Sequence, residues 1–318
     1  MSTDCPVIIF YHKNCPDGIA AGWVFIRHIC SDRRLDLSQV YCVPAYAGRK
    51  APTDLDFRGK EIVILDLSWK REDLLRIASE AKSILVLDHH KSAISVLFGR
   101  LPDNVTIVLD TTRSAAQIAW DRWNQQSARP WFIDVIGDRD LWKWKIPLSR
   151  EIGEYLGEKG MYSLTKMTEL LDWTIDDIER AGEEGGKILK EKEKNSQRFA
   201  ERATFCNFYT PGTTYKVYLT ECPHEYASDV GHILSNKPEC DFAVMWRYCF
   251  SLDEWQLSCR SSKNRPDIDL STITRNIGGG GHAKAAGFII KPTDSPVDTK
   301  NATKHTLTGN LHTYFKCI

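Results

Sequence analysis

Four short β-branched runs constrain this chain more than any other feature. Val7–His12 (VIIFYH), Glu61–Leu67 (EIVILDL), Ser83–Asp88 (SILVLD) and Val105–Asp110 (VTIVLD) are each apolar over the length of a strand, with helical patterns at Gly18–Cys30, Arg71–Ala81 and Ser114–Asn124. A strand apolar at successive positions is buried on both faces, and strand–helix alternation places such strands in a mostly parallel sheet covered by helices. The fold class predicted is therefore α/β. Ligands of such sheets bind outside the carboxyl ends of the strands. The first run delivers His12 to that edge, and the other three deliver Asp66, Asp88 and Asp110.

With 318 residues, the chain is long enough for two cores. Lys+Arg and Asp+Glu are both 42, and this balance excludes a broadly basic surface that grips duplex nucleic acid by charge alone. No apolar run has the length of a membrane span, and the start lacks the pattern of a signal peptide. The ten cysteines form no CxxC pair. They read as reduced and mostly buried, in a cytoplasmic or nuclear rather than secreted protein, with no Cys-rich zinc site.

From Thr174 to about Ala203, interspersed Glu, Lys and Arg at helical spacing predict a long exposed helix between two lobes. Beyond it, strand patterns at Lys216–Glu221, Phe242–Cys249, Trp255–Arg260 and Gly287–Lys291 accompany helices at Ala227–Asn236 and Leu270–Ile277. This is a second, smaller α/β domain. The domain reading is 1–150, a helical linker over 151–203, and 204–318; residues after about Pro292 lack periodicity. Ser163–Trp173 reads as an amphipathic packing helix.

Asp88-His89-His90 ends an apolar strand, and His12, Asp17, Asp66 and Asp138 also follow apolar runs. Adjacent histidines past a strand end can divide their roles, one ligating a metal and the other facing substrate. A mixed imidazole–carboxylate set suits Mn²⁺ or a similar divalent ion, Mg²⁺ included, better than a thiolate-rich structural zinc site. Two such ions can share a carboxylate and activate water for in-line attack on phosphorus. Each residue also has a plainer reading: Asp17 caps a helix, Asp66 ends a strand, and Asp110 is structural.

The pattern resembles the DHH phosphoesterase superfamily. The matching motifs are His12-Lys-Asn-Cys-Pro-Asp17-Gly18, Leu65-Asp66-Leu67, Asp88-His89-His90 and Gly137-Asp138-Arg139-Asp140-Leu141-Trp142. Ser258-Cys-Arg260-Ser261, Gly278-Gly279-Gly280-Gly281-His282-Ala283 and Ala285-Ala286-Gly287 resemble the DHH-associated carboxyl-terminal domain of the oligoribonuclease- and RecJ-like subfamily. The resemblance implies one ion on His12, Asp17 and Asp66, and a second on Asp66, His89 and Asp138, with His90 beside the scissile phosphate. Between Asp138 and Asp140 the sequence does not decide. It also implies a metal-dependent phosphodiesterase with its site between two lobes, acting on short single-stranded oligonucleotides, dinucleotides or nucleotide-like phosphates. One departure stands out. Where the family's first motif carries a second carboxylate, this chain has Ile19, which keeps a non-catalytic nucleotide binder open. A pyrophosphatase or exopolyphosphatase is the other rival, and the Gly-Gly-Gly-Gly-His element counts against it.

Glycines let backbone N–H groups close on a phosphate, so Gly279, Gly280 and Gly281 read as an anion nest, with His282 and Arg260 adding charged donors. Lys284 is an open candidate beside them. Trp142 and Trp144, past the fourth motif, read either as base-stacking rings or as packing. The oligomeric state is not legible.

Overall fold

Side chains of β1 (Val7–His12) alternate between two apolar faces, and both are covered. Val7 and Ile9 join Val63, Leu65 and Leu87 in one core, while Ile8 and Phe10 join Ile62, Ile64, Ile84 and Val86 in another. This two-sided burial is why the runs read as continuously apolar. The structure, a computed structural model, describes residues 5–32, 35–97, 99–125, 127–210, 212–291 and 315–317. They belong to two compact units, Met1–Leu189 and Lys190–Ile318.

The first unit holds β1, β2 (Val40–Ala45), β3 (Glu61–Leu65), β4 (Ser83–Asp88) and β5 (Val105–Leu109) in one all-parallel sheet ordered β2-β1-β3-β4-β5. From β1 the chain steps to one side for β2 and returns to the other for β3. That reversal leaves a crevice at the carboxyl ends of β1 and β3, the usual ligand position in open α/β sheets. Helix α1 (Pro16–Asp32), α3 (Ala115–Trp123) and α4 (Trp131–Asp140) contribute to the first core through Trp23, Val24, Ile118, Trp120, Phe132 and Ile136. Helix α2 (Arg71–Ala78) packs Leu74 and Ile77 into the second core. Helix α5 (Ser149–Glu158) and a 3₁₀ segment, Lys166–Asp172, follow; Ile152, Leu156, Met167 and Leu170, inside the span read as a linker, lie in the first core. Ser163–Trp173 is thus 3₁₀ rather than α over its ordered part.

Two elements of this unit escape a reading of periodicity. Edge strand β2 carries Pro44 and only half-buried residues, which blurs the strand pattern. Helix α4 buries Phe132, Ile133, Val135 and Ile136 together, so no single stripe marks it.

The long charged helix is α6 (Ile175–Glu201), and the boundary between units falls within it. In the second unit, β6 (Thr204–Thr210), β7 (Thr213–Glu221), β8 (Phe242–Cys249), β9 (Glu254–Arg260), β10 (Gly280–Gly281), β11 (Ala285–Ile290) and β12 (Phe315–Cys317) form a mixed sheet ordered β10-β11-β9-β8-β7-β6-β12. Only β7 and β8 pair in parallel. Helices α7 (Ala227–Ser235) and α8 (Leu270–Arg275) accompany it. Residues 292–314, where the sequence shows no periodicity, lie outside the described residues; beyond them, Phe315–Cys317 adds an edge strand that the sequence does not announce. Among the described residues, no helix is long and apolar enough to cross a membrane, and the described cysteines are free.

Candidate metal centre

The carboxyl ends of β1, β3 and β4 gather buried Asp17, Asp66, Asp88 and His89. His12 ends β1, and Gly18 lets α1 start against it: a Cβ on Gly18 would stand 2.7 Å from His12 Cβ and 2.8 Å from its backbone N and O. Asp66 follows β3 in the left-handed region, φ +61°. An aspartate tolerates that conformation better than most residues, at a cost of about 1–3 kcal/mol. Its N–H still bonds Leu87 O at 2.9 Å. The strained turn sends a carboxylate only 1% exposed between two imidazoles, with Oδ2 3.1 Å from His12 Nδ1 and Oδ1 3.0 Å from His89 Nε2.

His89 Nε2 faces three carboxylates at once: Asp66 Oδ1 at 3.0 Å, Asp140 Oδ2 at 3.3 Å and Asp17 Oδ2 at 3.5 Å. Asp17, in the first turn of α1, also accepts N–H bonds from Ala115 (2.6 Å) and Ala116 (2.9 Å), so it rests on the amino terminus of α3. Asp88 is the organiser of its own turn. It takes the N–H groups of His89 (2.7 Å) and His90 (3.1 Å), His90 Nδ1 (2.7 Å) and the Ser68 hydroxyl (2.5 Å).

Asp138, read from sequence as a ligand, is not brought into this group. Its oxygens accept from Lys145 N (2.9 Å), Ile146 N (3.3 Å) and Ser149 Oγ (2.6 Å), so the carboxylate closes the loop between α4 and α5. Two residues on a helix lie about 200° apart, and the site-facing carboxylate is therefore Asp140. The motif spells both aspartates, and without the helix nothing in it tells which face turns inward. Cys15 is the other residue that sequence reading passes over. Its sulfur, a His12 ring nitrogen and an Asp66 oxygen lie within 4.8 Å of one another, as do the donor atoms of Asp17, His89 and Asp140.

The electrostatics are those of a cage built for a cation. Burial pushes the Asp17 carboxyl up to about 7, and the neighbouring Asp66 and Asp140 push the same way. Asp140 is raised too, first by burial, then by Asp66 against the opposing pull of His89. For Asp66, burial works upward, but hydrogen bonds from His12 and His89 outweigh it and hold the carboxyl well below the usual range. Burial opposes the charge on His89, yet Asp140 and Asp66 lift it to about 10. Burial pushes the Cys15 thiol well up, Asp66, Asp140 and Asp17 add to this, and the Gly18 N–H aimed at the sulfur opposes it.

Packing several carboxylates this closely out of water costs several kcal/mol per uncompensated charge. A divalent ion is the compensation that fits their geometry. Asp140 Oδ2 is buried with no hydrogen-bond partner, the mark of an oxygen kept for an ion. The donors, nitrogen and carboxylate oxygen with one sulfur at hand, suit a hard-to-borderline ion.

In the second unit, Arg260 is drawn under α7, its guanidinium donating to Cys259 O (2.9 Å) and Ser228 Oγ (3.0 Å). The glycine run serves strand pairing. A Cβ on Gly279 would stand 2.1 Å from Gly287 O, and the N–H groups of Gly278, Gly279 and His282 bond Arg275 O, Thr274 O and Ala285 O. Gly280 and Gly281 pair with Gly287 and Ala286. Of the Gly279–Gly281 amides in the nest reading, that of Gly279 bonds the Thr274 carbonyl at the end of α8, and Gly280 and Gly281 lie in β10 against β11. Lys284 donates to the Arg265 and Ile268 carbonyls, as a brace for the loop before α8.

No family model matches the chain. Uncharacterized protein R106 of Acanthamoeba polyphaga mimivirus is 26% identical over 290 residues, which cover 89% of this chain and 67% of that protein. Among solved structures, the chain is similar to the pGpG-specific phosphodiesterase PggH from Vibrio cholerae (13% identity, 90% of this chain and 93% of that one, TM-score 0.44). It is also similar to exonuclease RecJ bound to manganese (14%, 90% and 86%, TM-score 0.42) and to CDC45 from Entamoeba histolytica (9%, 90% and 92%, TM-score 0.40). In the order of its motifs and the side chains they bring together, the chain resembles the DHH phosphoesterase superfamily.

Proposed function

We propose that the chain is a metal-dependent phosphoesterase. The observation that carries this reading is the gathering of His12, Asp17, Asp66, His89 and Asp140 at one sheet edge, with His90 beside them. A bound Mn²⁺, Mg²⁺ or similar ion, one or two of them, would supply a nucleophilic hydroxide near neutral pH and offset charge on the phosphoryl oxygens. Asp66, between His12 and His89, is the residue placed to serve two ions. His90 has Nδ1 committed to Asp88 at 2.7 Å, so its Nε2 is the nitrogen that polarises the phosphate or hands a proton to the leaving oxygen. Asp138 keeps a structural part in this reading.

The substrates proposed are short single-stranded oligonucleotides, linear or cyclic dinucleotides and nucleotide-like phosphates. Arg260, His282 and the Gly279–Gly281 strand would serve phosphate recognition through side-chain charge more than through amides. Trp142 and Trp144 support an unstacked base as the target: both sit in the left-handed region, φ +53° and +52°, with rings 4.8 Å apart. Bulky residues are held so only where the surroundings over-determine them. Both rings are half-buried, edge-to-face, with the Arg150 guanidinium over Trp144, and aromatic rings are the usual platform for single-stranded bases. Ile19, in place of a carboxylate, favours the second reading, a nucleotide binder with little turnover.

Incubating the purified chain and Mn²⁺ with a labelled linear dinucleotide, a short RNA and pyrophosphate separates the readings. The expected result is cleavage of the dinucleotide and loss of cleavage on chelation or in an Asp66→Ala/His89→Ala double variant. Turnover surviving in that variant removes the mechanism. Tight nucleotide binding with no turnover on the whole panel selects the binder.

The cage also sets a pH dependence. A metal binds deprotonated carboxylate and neutral imidazole, so binding expels the protons that Asp17 holds below about 7 and His89 below about 10. Mn²⁺ affinity therefore rises with pH, more steeply below about 7, where both groups hold protons, than above it. Calorimetry in buffers of different ionisation enthalpy counts the protons, and a pH-independent affinity contradicts these residues as ligands.

A further inference from the structure

Where the family it resembles carries a further carboxylate, this chain has Ile19, half-buried and packed on the first core. Only residues 13–15 separate β1 from α1, and the last of them brings a sulfur beside His12 and Asp66. The Cys15 Sγ, a His12 ring nitrogen and an Asp66 oxygen lie within 4.8 Å of one another, close enough for one ion to touch all three after small side-chain adjustments. Cys15 immediately precedes α1, and the Gly18 N–H is aimed at its sulfur. First-turn amides lack partners within their own helix and favour an anion there.

We propose that Cys15 is a thiolate ligand, so that one ion is held by His12, Cys15 and Asp66 and a second by Asp17, His89 and Asp140, with Asp66 reaching both. This rests on the metal-centre reading above but not on the reaction assigned to it. Coordination forms a sulfur–metal bond and releases the thiol proton to solvent, and nothing is oxidised or reduced. A thiolate in the set shifts selectivity toward Zn²⁺, Co²⁺ or Fe²⁺ and against Mg²⁺. It also makes the site sensitive to thiol oxidation, which an all-carboxylate site is not.

Titrating the reduced full-length chain with Co²⁺ under exclusion of oxygen tests this by absorbance. The expected spectrum has visible ligand-field bands and a near-ultraviolet sulfur-to-cobalt charge-transfer band. Cys15→Ser should keep the former, lose the latter, and bind Zn²⁺ more weakly by over tenfold, roughly the least that losing even an outer-shell partner costs. Cys15→Asp should bind Mn²⁺ better relative to Co²⁺ than the parent chain does. Ligand-field bands without charge transfer in the parent chain, or charge transfer that persists in Cys15→Ser, overturns the assignment and leaves the metal centre standing. Absence of any bound cobalt by elemental analysis overturns both. If the serine variant fails to fold, alkylation decides: bound Zn²⁺ should protect Cys15 from iodoacetamide in peptide mass spectra, and an unchanged rate of modification overturns the proposal.

Discussion

Asp66→Asn is expected to strip the ions from the protein and reduce turnover by at least roughly 10³-fold, more than the loss of a single transition-state hydrogen bond. Asparagine tolerates the left-handed backbone at this position, φ +61°, so the fold has no reason to change. It fills the same volume but lacks the charge that His12 and His89 share at 3.1 and 3.0 Å. Elemental analysis should show the chain losing bound metal, and thermal denaturation without metal should show a lower Tm as well, because the two imidazoles lose their charged partner. If Asp66→Asn retains its metal, the bridging role is wrong whatever the kinetics show.

A paired comparison of Asp138→Ala and Asp140→Ala separates the neighbouring aspartates. Asp138→Ala deprives Lys145 N, Ile146 N and Ser149 Oγ of their acceptor beneath a loop that also holds Trp142, Trp144 and Leu148 at positive φ. The cost should be roughly 2–4 kcal/mol, on the order of 10 °C in Tm, since abandoned buried donors carry their full desolvation penalty. Metal content should hold. Asp140→Ala removes the oxygen that pairs with His89 at 3.3 Å but also relieves repulsion on Asp17. The two effects oppose, so without metal that variant should lose less stability than Asp138→Ala while its metal content falls. The reverse pattern, with stability lost at 140 and metal lost at 138, would return Asp138 to the ligand set.

What the sequence conveys here follows from how each residue is used. Strands β1, β3 and β4 are legible because burial on both faces writes an unbroken apolar run, and the motif residues at their ends follow; β5, at the sheet edge, keeps a β-branched run although half-buried. Edge strand β2 is not legible, since Pro44 interrupts a short and mostly half-buried segment. Asp138 and Asp140 are spelled alike, and only the rotation of α4 assigns one inward and the other to its loop. Cys15 is silent for a different reason: a buried thiol and a ligating thiol occupy the same letter, and the distance to His12 and Asp66 is set by a fold that the local string does not contain. The glycine run is legible as a place of close backbone approach but not as to what approaches: Gly279 stands against Gly287, and Gly280 and Gly281 pair with β11.

Asp138 and Asp140 divide α4 between two clients, one carboxylate anchoring the tryptophan-bearing loop and its neighbour serving the cage. Because the loop hangs from a separate hook, insertions or exchanged rings within it would leave the spacing of the caged groups undisturbed; on the function proposed above, molecular taste could then drift apart from the chemistry.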